Sequence, residues 1–202
     1  SGLVGSEMCI RDSFTGTGPG RLTSTRFGQS PTMNVQATST TSAPKAFPRS
    51  DQLTYLGVDF QQGLRGNINQ RVMEFHQRVE AIWGPVTQWG ETLVFHAAAG
   101  LSPGAVGITS DVLSVGQSPV RPGHQGTTLE LSAGGNVLVE GDTFTARSTR
   151  LSWSEEKDLL VFEGDGRSDA QLFRQERIGG PTSSASAGKI MYWRALNRVD
   201  VK

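Results

Sequence analysis

Residues 128–162, TLELSAGGNVLVEGDTFTARSTRLSWSEEKDLLVF, decide how the rest of the chain is read. Leu129, Leu131, Ala133, Gly135, Val137 and Val139 share one parity, with Glu130, Ser132, Asn136 and Glu140 on the other. Period-two alternation turns one set of side chains to an interior and the other to water, as in a half-buried strand. Glu140-Gly141-Asp142 then supplies turn chemistry, since glycine takes positive φ cheaply and aspartate tolerates tight turns. A second strand holds Phe144, Ala146 and Ser148; parity shifts near Arg150, and a third strand holds Leu151 and Trp153. Residues 154–158 are polar and read as a hairpin tip. Residues 159–162 form a fourth strand whose inward parity is ambiguous. Phe144 and Trp153 are expected on facing strands of one hairpin. Consecutive antiparallel strands with no helix between them predict an all-β fold.

The pattern continues on both sides. Val58 and Phe60 alternate, and residues 63–69 carry turn residues. Residues 72–83 fit two periods: Val72, Phe75, Val79 and Ile82 are spaced like a helical stripe, while Val79, Ala81 and Trp83 alternate. Strands all around favour strand here. Residues 86–95 read as a further strand and 101–104 as a turn. Residues 106–115 give another alternating pair of runs, and 116–126 a polar Pro/Gly loop. Beyond the opening stretch, 170–174 reads as strand, 178–181 as turn, and 185–193 and 199–201 as strand again.

The N-terminal part has a different character. Residues 1–13, SGLVGSEMCIRDS, write back into codons as a sequencing-library adapter translated in one frame, and are expected to make no packed contact. They contain Cys9, the only cysteine, so the remainder has no disulfide, thiolate nucleophile or cysteine-based metal site. Phe14 opens FTGTG and Phe162 opens FEGDG. That echo makes 14–28 the end of a truncated preceding unit, unless it is coincidence in a glycine-rich chain. Residues 29–51 are rich in Ser, Thr and Pro and read as a flexible linker or loop. The main domain is 52–202. Lys and Arg together number 19, as do Asp and Glu, so no electrostatic footprint for nucleic acid is present. The 25 glycines bring a 36% apolar content near the globular average. No apolar run approaches the roughly 20 residues of a membrane-spanning helix.

A weak internal repeat is visible. Ala146, Leu151, Trp153 and Asp158 align with Ala187, Ile190, Tyr192 and Asn197, a period of about 40 residues that suggests stacked units. A fuzzier copy runs from Ile108 through a long loop into Leu129. The phrases Ser110-Asp111-Val112-Leu113-Ser114-Val115 and Gly135-Asn136-Val137-Leu138-Val139 resemble the recurring motif of the OstA-like family, the domains of periplasmic lipopolysaccharide transport. The likeness covers 106–201 well and 53–94 weakly. The 116–126 loop is longer than that family's hairpin, and the next G-N-V position reads Gly164-Asp165-Gly166. The resemblance implies an antiparallel β-taco, or open β-jellyroll, whose apolar inner faces line a groove. It also implies a periplasmic location, lipopolysaccharide or a related glycolipid as ligand, and stacking with related β-taco domains through strand edges. From the residues alone, alternating strands of about 6 residues give walls about 20 Å across, comparable to an extended acyl chain.

Catalytic and metal chemistry find little support. His76, His96 and His124 have no partners at ligand spacing. The run Glu155-Glu156-Lys157-Asp158 fits a solvated hairpin tip better than an acid/base pair. Residues 163–166, EGDG, lack the ligand pattern of a calcium loop. No nucleophile elbow or phosphate-cradling loop occurs, so no enzyme activity and no cofactor are expected. The candidate binding surface is the inward set Leu131, Val137, Val139, Phe144, Leu151, Trp153 and Ile190. Two readings compete for it. One is a non-enzymatic groove for acyl chains; the other is the filled core of a structural β-repeat scaffold or surface module.

Overall fold

A computed structural model describes residues 13–27, 53–95, 100–119 and 127–202. Thirteen strands make one antiparallel sheet, and the described residues contain no helix. In chain order they are β1 (Ser13–Thr17), β2 (Gly20–Phe27), β3 (Leu53–Phe60), β4 (Gly63–Asn67), β5 (Val72–Val86), β6 (Val106–Pro119) and β7 (Thr127–Gly141). Then follow β8 (Phe144–Ser154), β9 (Leu159–Glu163), β10 (Ala170–Gln175), β11 (Thr182–Ala187), β12 (Lys189–Trp193) and β13 (Arg198–Val201). Among the described residues, no helix is long and apolar enough to cross a membrane.

The sheet carries a crease. Where β5 pairs with β6, register shifts between His76 and Val79, because β5 holds one residue more than its partner. The same happens in β7 between Gly134 and Val137, against β6 on one side and β8 on the other. At both bulges two successive residues take positive φ: Gln77 (60°) with Arg78 (45°), and Gly135 (74°) with Asn136 (47°). Bulges sharpen the local twist and bend the strand. On the partner strands the buried parity changes at the same level, from Ser110 to Leu113 in β6 and from Ala146 to Leu151 in β8. Elsewhere the line is continued by breaks between strands. These are Gly18-Pro19 between β1 and β2, Gln61-Gln62 between β3 and β4, residues 164–169 between β9 and β10, and Gly188 between β11 and β12.

Two walls result. The first comprises β2, β3, β10, β11 and the adjoining halves of β5–β8; the second comprises β1, β4, β9, β12, β13 and the other halves. The chain zigzags from one wall to the other, pairing each pass with its neighbour. Wall meets wall through ring contacts of Trp83 with Trp153 at 4.6 Å and Phe144 with Tyr192 at 5.2 Å. Turns of four residues close β4–β5, β8–β9 and β12–β13 alike. In each the last residue (Arg71, Asp158 or Asn197) has positive φ and donates its N–H to the carbonyl three residues back.

Several expectations are corrected. Residues 144–154 are one strand, not two, and the parity shift near Arg150 is the crease passing through β8. Phe144 and Trp153 are therefore opposite ends of the same strand. Residues 87–95 are not a strand. There the Glu91 carboxylate accepts hydrogen bonds from the N–H groups of Thr87 and Gln88 and from the Thr87 hydroxyl, closing a turn instead. These donors hold the Glu91 pKa below its ordinary value. Residues 185–193 form two strands in different walls, parted by Gly188. β6 runs on to Pro119, so the polar loop begins later than 116, and its remainder, 120–126, lies outside the described residues. β1 and β2, within the 14–28 segment and Ser13, pair with β4 and β3, a placement that is equally open to the end of a preceding stacked unit. Ser13 belongs to β1, whereas residues 1–12, the 29–51 linker, His96 and His124 lie outside the described residues. Nor is the sheet single-faced throughout. Leu53, Tyr55, Ile82 and Val86 are buried with Leu93 and Ala105 in a small second cluster, against which Phe95 and Leu101 pack.

Candidate functional site

The inner faces of the walls meet in one apolar cluster that contains all seven candidate residues. Leu131, Leu151, Trp153 and Ile190 project from the second wall, and Val137, Val139 and Phe144 from the first. Register explains the grouping. Val115, Leu131, Trp153, Leu160 and Tyr192 are successive cross-strand partners in one row of the second wall. Phe75, Leu113, Ala133, Leu151, Phe162 and Ile190 form the row beside it, nearer the crease. Opposite them, Val58, Ala81, Ile108, Val139, Ala146, Leu172 and Ala185 make a row of smaller side chains in the first wall. Large residues facing small ones let two sheets interdigitate.

The interior is filled. Val139, Phe162 and Ile190 are fully buried, and Trp153 keeps only 4% of its surface exposed. A void lined by both walls has a volume of about 50 Å³, against the ~150 Å³ of an engineered apolar cavity that holds benzene. Trp83 Nε1 and Trp153 Nε1 are buried without a hydrogen-bond partner among the described residues. Burial raises the pKa of Tyr192 above the ordinary tyrosine value, and its hydroxyl lies 3.3 Å from Asn197 Oδ1.

Charged residues fasten the margin of the walls opposite the crease. From β2 in the first wall, Arg26 Nη2 reaches both carboxylate oxygens of Glu155, at 2.8 and 2.7 Å. Glu155 also accepts the Leu129 N–H at 2.8 Å. Three residues on, Asp158 Oδ1 takes Nε and Nη2 of Arg194, at 3.2 and 3.0 Å, and its Oδ2 takes the Ala195 N–H. The Arg194 guanidinium in turn lies 5.1 Å from the centre of the Trp83 ring in the other wall. Desolvation pulls the Arg194 pKa down, opposed by the Asp158 carboxylate; a guanidinium stays charged nonetheless. Sequence reasoning read 155–158 as a solvated tip and missed this role. The partners stand 129 and 36 positions away, so no local pattern could announce them.

The motif phrases meet at the crease. Asn136 donates its side-chain amide to Asp111 at 2.9 Å, and a Cβ on Gly135 would collide with Asp111. Among the described residues, no His, Cys, Asp and Glu cluster could hold a metal ion. His76 Nε2 lies 2.7 Å from Glu74 Oε1, close enough for an ion pair when the imidazole is protonated but without hydrogen-bond geometry. Glu163 ends β9, and the residues that follow turn around Asp165, to which the Ser168 and Arg167 N–H groups donate, depressing its pKa. A scan against protein-family models finds no match to this chain, and a comparison with curated proteins finds none either.

Proposed function

We propose that this chain is a non-enzymatic β-taco module of outer-membrane biogenesis, which shelters acyl chains of lipopolysaccharide or a related glycolipid at the periplasm. The observation that carries this reading is the crease. It folds one sheet into two walls that share an uninterrupted apolar lining, the form an acyl-chain groove requires. Burying each methylene contributes about 0.8 kcal/mol, so a chain of about 12 carbons supplies roughly 10 kcal/mol before ordering costs. The walls must part to admit it, and the Glu155–Asp158 turn is where they are fastened. No nucleophile takes part. The alike turns at β4–β5, β8–β9 and β12–β13 support stacked units of about 40 residues. At the ends of the walls β1, β2, β11 and β13 each have one partner among the described residues, which leaves edges for related β-taco domains.

The close packing of Trp83 on Trp153 favours a second reading, a structural scaffold with a permanently filled core. Native mass spectrometry of the protein purified from a Gram-negative envelope separates the two. The lipid reading expects a glycolipid adduct that a folded Leu151→Asp variant loses, since a carboxylate in an apolar site is strongly disfavoured. A protein that never carries lipid, even when mixed with lipid A, is the scaffold.

A further inference from the structure

We infer that the Glu155 carboxylate occupies an anion-binding site at the mouth of the inter-wall cavity, standing where the head group of an anionic single-chain amphiphile binds. The inference rests on the lipid-sheltering reading and adds where a ligand enters and what recognises its head. The Arg26 guanidinium and the Leu129 N–H converge on Glu155, a donor set that serves any carboxylate or phosphate. Arg26 and Leu129 also line the void of about 50 Å³ between the walls. Around that void Leu56, Trp83 and Val115 are apolar, and the hydroxyl of Thr54, a residue 2% exposed, has no partner among the described residues. The cavity thus has the composition of an amphiphile site, apolar inside and cationic at the rim.

β2 is built to yield there. Among the described residues it is an edge strand paired only with β3, and it gives the interior one large apolar side chain, Leu22, where β3 gives Leu56, Val58 and Phe60. An entering anion that replaces Glu155 on Arg26 keeps the guanidinium paired while its alkyl chain moves in beneath β2. The internal carboxylate competes with the ligand and lowers its apparent affinity by the fraction of molecules that stay clasped.

Fluorescence titration with cis-parinaric acid and with its uncharged methyl ester tests the inference in the intact chain. Glu155→Gln keeps an acceptor for the Leu129 N–H but removes the competing charge. It is expected to bind the acid about tenfold more tightly than the unaltered protein, and to raise the acid-over-ester preference. Arg26→Gln breaks the same clasp but is expected to abolish that preference. Displacement of the bound probe by myristate or by monododecyl phosphate, each with one chain, tells a carboxylate source from a phosphate source. An acid-over-ester preference equal in all three proteins overturns the anion site while leaving the lipid reading intact. Failure of both probes to bind any of the three, with circular dichroism unchanged, overturns both.

Discussion

Gly135 and Asn136 show how two residues set a bend. Consecutive positive-φ positions are cheap only for glycine and, to a lesser degree, asparagine, and here the asparagine side chain is also tied to Asp111. Gly135→Ala adds both a strained φ and a clash with Asp111, so it is expected to destabilise the fold by about 1–3 kcal/mol in chemical denaturation. The G-N-V phrase was visible in the sequence, but its reason was not. Alternation counts parity along one strand, whereas the bulge becomes evident only from the partners on either side. Gln77-Arg78 takes the same conformation with residues that carry no turn signature, and nothing local marks it. Trp153 shows the opposite case. Its inward direction followed from parity, and its truncation to alanine is expected to cost about 3–5 kcal/mol.

The hairpin β8–β9 holds the margin together through residues that looked merely solvated. Asp158→Asn keeps a side chain that tolerates positive φ but leaves the Arg194 guanidinium buried without its counter-charge, at an expected cost of about 3 kcal/mol. Adding Arg194→Met removes the stranded charge and is expected to recover part of that loss in a double-mutant cycle. At the crease, Lys189 Nζ meets Glu163 Oε1 at 2.8 Å and links β12 to β9. The Lys189 hydrogen bond holds the Glu163 pKa below its ordinary value, although burial opposes it. A depressed carboxyl pKa gives stability that is fully present above the unfolded value and is lost as pH falls through the folded one. Thermal midpoints are therefore expected to lose this contribution below about pH 4.3 in the unaltered protein, but not in Glu163→Gln. Both side chains are more than a third exposed, so the effect is less than about 1 kcal/mol. The strands of the opening stretch were legible because one face is apolar and the other polar. Residues 87–95 were not, because Leu93 packs on the outer side of the first wall and mimics a strand position.

At the scale of the molecule, the all-β class and the inward set followed from alternation, but the shape did not. Folding one sheet into two walls depends on bulges and breaks falling in line across β5–β8, and that alignment is a property of register rather than of any single strand. Strands at both ends that have one partner among the described residues predict concentration-dependent, head-to-tail association, because unpaired edges recruit other strands. Sedimentation velocity is expected to show a rising mean mass with concentration, and a strict monomer throughout would oppose it. The central claim, that the interior between the walls receives acyl chains, is tested most directly by photocrosslinking. A photoreactive residue replaces Trp153, which faces the interior, or Ser152, which faces out from the same strand. Incubation with lipid A follows, and the products are compared. The account predicts a lipid adduct at position 153 and none at 152; equal labelling at both, or labelling at neither, would contradict it.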